Sequence, residues 1–258
     1  MQGKGNKTTF SLPATIRPGW TSLVLSAESD AKPVFFLFRL EEGVTAEEVG
    51  DTLRRVFSTP IGPRLANVVT KLRAMSSMYG AWDLSVAPAG ETSEAVVVEL
   101  DPGTYGFFSF DTGSIVGTVA VEGDELNAGP PESDVRFDIA DGAYEGPEQI
   151  APGVQQVEVF NAGTTWHEFG LGRLKKGSTG ADVHKLVREE GKKGRFLPAG
   201  EHIAFVGTFI GPIAEGVTVS FTQEFSPGTY WVACGVRSDE SGRPHYWDGH
   251  YSFIEVTG

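Results

Sequence analysis

Apolar and polar residues alternate with a period of two in short bursts along the chain, and Gly- and Pro-bearing segments separate the bursts. SLVLSA (22–27), PVFFLFRL (33–40), AVVVEL (95–100) and TYGFFSF (104–110) read as strands. QQVEVFN (155–161), VTVSFTQEF (217–225), TYWVACG (229–235) and YSFIEV (251–256) read the same way. The period lengthens at three places. Thr45-x-x-Glu48 is a capping-box pattern ahead of Val49, Leu53 and Val56 at helical spacing. PRLANVVTKLRAM puts Leu65, Val68, Val69 and Leu72 on one helical face, and Ser178 or Thr179 opens a third helix through Val183, Leu186 and Val187.

The pattern also repeats. PATIRPG (13–19) recurs as PEQIAPG (147–153), and RLEEGVTAEEV (39–49) recurs as RLKKGSTGADV (173–183), both at an offset of 134. DPGTYGFFSF (101–110) recurs as SPGTYWVACG (226–235) at an offset of 125. Three collinear matches imply a duplicated, strand-rich domain. The boundary falls in the polar stretch GDELNAGPPESD (123–134), which divides the chain into 1–128 and 129–258. In the repeated PGTY turn, Pro presets φ and Gly admits a positive φ, so Tyr105 and Tyr230 are placed to pack as tyrosine corners.

Composition narrows the function. The 258 residues carry a net charge of −13, which argues against general binding to a phosphate backbone and so against a nucleic-acid partner. The basic residues Lys175, Lys176, Lys192, Lys193 and Arg195 are a local solvated face. One Cys excludes an intrachain disulfide and any multi-cysteine cluster. No apolar run is long enough to span a bilayer, and MQGKGNKTTF lacks the apolar core of a signal peptide. No nucleophile elbow, P-loop or Rossmann glycine pattern is present.

The remaining chemistry is confined to the second copy, which holds the single Cys and all five His. By the alignment, Cys234 replaces Ser109 and His167 replaces Pro33, while His245 lies in an insertion between the PGTY turn and the last strand. A thiolate with two imidazoles and a weaker fourth group is a blue-copper ligand set, and Cys with three His also suits tetrahedral Zn²⁺. His184, in a predicted helix, and His202, in a polar turn, read as exposed.

NAGTTWHEF, FSPGTYWVACG and CGVRSDESGRPHYWDGH together resemble the cupredoxins, in particular a bacterial group whose ligand loop runs C-x-n-D-x-x-G-x-P-H-x-x-x-G-M. The resemblance covers the second copy well and the first as scaffold. It implies an all-β chain of two tandem Greek-key β-sandwiches with short helices inserted between strands. It also implies a copper site, one ion per chain, in the second sandwich only. His167, Cys234 and His245 fall at the equatorial positions, and His250 stands where the family carries an axial Met. The red-copper protein nitrosocyanin also has a His there, with a Glu in place of the upstream His, which keeps Glu168 open as an alternative ligand.

The implied function is electron transfer in an extracytoplasmic compartment, periplasmic or secreted, with a redox partner protein and homo-oligomerisation both open. Cys234 lies between Ala233 and Gly235, without the neighbouring His that wires copper oxidases and nitrite reductases to a second centre, so enzymatic turnover is not expected. Two alternatives remain: a non-redox copper or zinc storage module, and a metal-free interaction protein built on the same scaffold.

Overall fold

A computed structural model of the chain describes residues 12–24, 34–83, 95–110, 112–126, 128–194, 200, 202–206 and 210–258. The first half supplies β1 (Thr15–Ile16), β2 (Gly19–Leu23), β3 (Val34–Leu40), α1 (Ala46–Ser58), α2 (Pro63–Arg73), β4 (Ser76–Asp83), β5 (Val96–Leu100), β6 (Gly103–Ser109) and β7 (Ser114–Val121). The second supplies β8 (Val135–Ala140), β9 (Ala143–Glu145), β10 (Gln149–Ile150), β11 (Gly153–Asn161), β12 (His167–Leu174) and α3 (Gly180–Lys193). It ends with β13 (Ile203–Phe205), β14 (Ile210–Ile213), β15 (Thr218–Phe225), β16 (Gly228–Ala233), a 3-10 turn at His245–Asp248, and β17 (Tyr251–Val256).

Local sequence explains the helices. Thr45 accepts the Glu48 amide while the Glu48 carboxylate takes the Thr45 amide, and Thr179 and Asp182 repeat the exchange at α3. Each reciprocal pair satisfies amides that a helix start leaves without intrahelical acceptors. Pro63 opens α2, where its missing N–H costs nothing. Leu65, Val68, Val69 and Leu72 are all buried, as their spacing predicts.

The strands form two sheets. The larger runs β1-β7-β6-β3-β4-β14-β12-β16-β17-β10 with β13 also on β12, and the smaller runs β2-β5-β15-β11-β8-β9. Apolar side chains of both sheets share one core that includes Phe38, Tyr105, Phe137, Val159, Phe169 and Phe221. The expected all-β architecture, with helices inserted between strands, therefore holds. The PGTY turns behave as tyrosine corners: Gly103 and Gly228 sit at φ 156° and 143°, and Tyr105 and Tyr230 donate from their hydroxyls to Asp101 O and Ser226 O, each at 3.1 Å.

Both sheets run through both halves. β5 pairs antiparallel with β15, with Val96 opposite Phe221, and β4 pairs with β14, with Tyr79 opposite Ile213. Val96 and Phe221 are 125 residues apart, the offset of the adjoining PGTY repeat, so equivalent positions face each other at the β5–β15 seam, as across a two-fold axis. A sheet edge in each half is closed by its counterpart, which removes an exposed edge from each.

Besides the short β1, β9, β10, β13 and β14, the sequence pattern missed β4, β7, β8 and β12. In β12 the first six residues are all buried, so both faces are apolar-packed and no alternation marks the strand. Leu25 to Ala27 of the expected SLVLSA strand lie outside the described residues. His202 is half-buried rather than exposed, with its Nδ1 3.1 Å from Ser178 Oγ.

Candidate metal centre

Three separate pieces of backbone bring the candidate ligands together. His167 is the first residue of β12, Cys234 follows the last residue of β16, and His245 and His250 bracket the 3-10 turn before β17. One donor atom from each of the four lies within 4.8 Å of the others. Cys234 Sγ is 3.3 Å from His245 Nδ1 and 3.6 Å from His167 Nδ1. Ligands at metal–S near 2.3 Å and metal–N near 2.0 Å stand roughly 3.6 Å apart when arranged tetrahedrally. The donor chemistry and these spacings fit a first-row metal ion.

The loop that presents His167 is shaped by Asn161, fully buried at the end of β11. Its amide donates to Thr165 O at 2.8 Å and Ile213 O at 2.9 Å, and its side-chain oxygen accepts the Gly163 amide at 3.0 Å. Gly163 has no substitute here, because a Cβ would stand 2.6 Å from Asp141 Oδ1 and 2.7 Å from His167 Nε2. Asp141, in the turn between β8 and β9, accepts from Thr164 Oγ1 at 2.7 Å and from His167 Nε2 at 3.0 Å. With its proton held on Nε2 by a carboxylate, His167 keeps the Nδ1 lone pair directed at the site. His250 is fixed in the same sense, donating from Nε2 to Ala143 O at 3.2 Å.

The second loop wraps its backbone around the cysteine. The Cys234 amide donates to His250 O at 3.2 Å, and Cys234 O accepts the Tyr246 amide at 2.9 Å. His245 N donates to Val236 O at 3.0 Å. One residue of the first half, Arg73 at the end of α2, touches both ligand loops. Its guanidinium donates to Thr164 O at 3.0 Å in the His167 loop and pairs with Asp239 in the Cys234–His245 loop.

Burial controls the protonation of the group. Cys234, His167 and His250 are buried, and His245 is half-buried. Burial first, then the neighbouring imidazoles, pulls His245 and His250 down to about 4. Burial also lowers His167, against the opposing pull of Asp141. Burial raises the Cys234 thiol well above its ordinary value, and the charge of Glu168 adds to that. At Asp141 burial opposes ionisation, but hydrogen bonds from Thr164 and His167 outweigh it and hold the carboxyl down at about 2. Without metal the cluster is therefore a neutral thiol among neutral imidazoles.

Glu168, the alternative ligand, does not join the group. Strand alternation turns it to the opposite face of β12, where its carboxylate accepts the Gly235 amide and burial pushes it up to about 7. His184 stays exposed on α3 against Tyr251, far in role from the cluster. Sequence reading missed Asp141 and Arg73. Asp141-Gly142 was legible only as a hairpin-turn dipeptide.

No family model matches the sequence, and no curated protein does. Among solved structures, reduced auracyanin from the photosynthetic bacterium Roseiflexus castenholzii is 20% identical over 48% of this chain and 95% of its own, with a TM-score of 0.30. A multicopper oxidase is 12% identical over 93% of this chain and 76% of its own, with a TM-score of 0.27. A copper-containing nitrite reductase from Thermus scotoductus SA-01 is 10% identical over 93% of this chain and 53% of its own, with a TM-score of 0.29. The two-sheet β architecture and the gathered Cys-His₃ group agree with what the resemblance of the sequence implies.

Proposed function

We propose that the chain binds one copper ion through His167, Cys234, His245 and His250 and passes single electrons at that site. The observation that carries this reading is the convergence of one thiol and three imidazole nitrogens within 4.8 Å, three of the four residues buried. A copper ion held there supplies exchange between Cu(I) and Cu(II). The residues do the rest. Asp141 and Ala143 O fix two imidazole tautomers before any metal arrives, so little rearrangement accompanies loading. Cys234 gives up a proton on binding, which couples loading to proton release. His245, the only member reached by solvent, marks where a partner would make contact. The net charge of −13 favours a basic partner.

On this reading residues 1–128 form a metal-free unit and 129–258 the copper unit, placed outside the cytoplasm as the resemblance implies. No helix among the described residues is long and apolar enough to cross a membrane. His250 in the fourth position favours Cu(II) more than a thioether does. His250→Met is therefore expected to raise the reduction potential by at least about 60 mV, a tenfold shift in the oxidised-to-reduced ratio.

A second reading rests on the same donors. Cys with three His is a complete tetrahedral set for Zn²⁺, which would make the site structural or a store. Titration with Cu(II), followed by absorption and EPR, separates the two. One copper per chain with a thiolate-to-copper charge-transfer band is the expected result. Bound copper without that band, or displacement of copper by stoichiometric zinc, sinks the electron-transfer reading.

A further inference from the structure

The strands that carry the metal candidates also carry a second feature on their opposite face. His167 and Cys234 point to the cluster, whereas Glu168, Ala233 and Gly235 line a cavity of about 490 Å³. The cavity lies over the middle of the larger sheet, where the two halves meet. Its floor includes Phe36 of β3, Met78 of β4 and Trp231 of β16, and Leu53 of α1 and Val69 of α2 wall one side. This volume is within the usual range for small-molecule sites, roughly 300–1,000 Å³.

The lining is chemically selective. It is overwhelmingly apolar and aromatic, and its mouth carries Phe57, Phe110 and Phe205, each about half exposed. These are three of the five exposed large apolar side chains among the described residues. Phe57 and Phe110 meet edge to face at 4.8 Å, with Phe36 at 5.8 Å from Phe57. Aromatic rings held in the open around a cavity mouth lose contact area that a flat ring would restore.

Few polar groups break this lining. Trp231 is 2% exposed, and its Nε1–H is closed off from the cavity as well as from solvent, so the indole presents only its apolar ring. Glu168 is 9% exposed, its carboxylate accepting the Gly235 amide and facing the charge of Arg237, which also lines the cavity. Glu168 and Arg237 offset each other's charge, so a neutral ligand leaves the pair undisturbed. A hydroxyl donates to the carboxylate without adding charge.

We propose that this cavity is a binding site for a neutral aromatic alcohol of one or two fused rings, its ring against Phe36 and the mouth phenylalanines and its hydroxyl donating to Glu168. The proposal does not depend on the metal reading, since the cluster lies on the other face of the sheet. The probe is 2-naphthol, with naphthalene and 2-naphthoate as controls, titrated into the full chain without added metal and followed by the indole ¹H–¹⁵N resonances.

The expected result is saturable movement of the Trp166 and Trp231 signals, both residues lining the cavity, while Trp20 and Trp247 stay still. Naphthalene and 2-naphthoate are each expected to bind at least about tenfold more weakly, as is 2-naphthol to Glu168→Leu, which leaves the hydroxyl without its acceptor. Phe57→Asp and Phe110→Asp, both at exposed positions, are expected to weaken 2-naphthol to a similar degree. Failure to saturate, or movement of Trp247 in place of Trp231, overturns the site. Equal affinity for naphthalene and 2-naphthol overturns the assignment of the hydroxyl. The wild-type resonances decide the location even if a variant fails to fold.

Discussion

The two halves of this chain share a helix-capping device, a PGTY tyrosine corner and a common sheet plan, yet only the second gathers metal-ligating groups. Ser109 ends β6 where Cys234 follows β16, both at the same point of the repeat. In the first half the chain turns directly from β6 into β7. In the second, the segment from Gly235 to Gly249 is wrapped between the strands and carries His245 inward. The difference teaches that the scaffold alone does not make a site. One residue exchange, one insertion and one upstream His together make it.

The first half is not a bystander. Arg73 holds the backbone of one ligand loop and the Asp239 carboxylate of the other, while Thr70 Oγ1 donates to Asp239 O at 3.3 Å. β5 pairs with β15 and β4 with β14, so each half completes the other's sheets. A half without metal ligands thus contributes the frame against which the ligand loops are held.

The sharpest way to break the comparison is to erase its chemical difference. Cys234→Ser gives the second half the residue that the first already has, and complete loss of the copper charge-transfer band is expected. Ser109→Cys should create no band, because the first half has no histidine. Next in size is the seam. Phe221→Ala removes a fully buried ring opposite Val96 and should cost about 3–5 kcal/mol in denaturant unfolding. A single transition for both halves is expected; two separate transitions would show that the seam does not couple them.

Arg73→Ala tests the frame itself. Copper release should accelerate roughly tenfold, the scale of lost outer-shell support, with far-UV circular dichroism unchanged. Unaltered release would remove the clamp from the account. The smallest effect is on pH dependence. His245 and His250 titrate near 4 in the folded metal-free chain and near 6.5 when unfolded, so the unfolded state binds more protons between those values. Stability from these groups is complete above pH 6.5 and is lost as pH falls toward 4. A decrease in Tm of at least about 2–4 °C across that window is expected without metal. It should shrink once copper occupies the imidazole lone pairs.

Much of this was legible in the chain because it is local. The Thr45–Glu48 and Thr179–Asp182 exchanges span three residues, and Tyr105 and Tyr230 reach only four residues back, so short motifs specify them completely. Cys234, His245 and His250 were readable as candidates because thiol and imidazole are rare in this chain and fall in one segment. β12 was not readable, because burial on both faces erases alternation. Asp141 and Arg73 were not readable either. A carboxylate in a turn and a guanidinium at a helix end are ordinary surface residues until a distant loop folds against them.

The sequence by itself determined the internal repeat, the helices and the candidate metal ligands, since each is written in residue types at short or repeated spacing. Only the tertiary structure decided that His167 meets Cys234 across 67 residues, that Glu168 faces away, and that the two halves join seam to seam. It also decided that a cavity lies behind the cluster. Those outcomes depend on strand pairing and on which side of a strand a residue faces. Shifting a strand by one residue exchanges its two faces, and that register is set by contacts far apart in the chain.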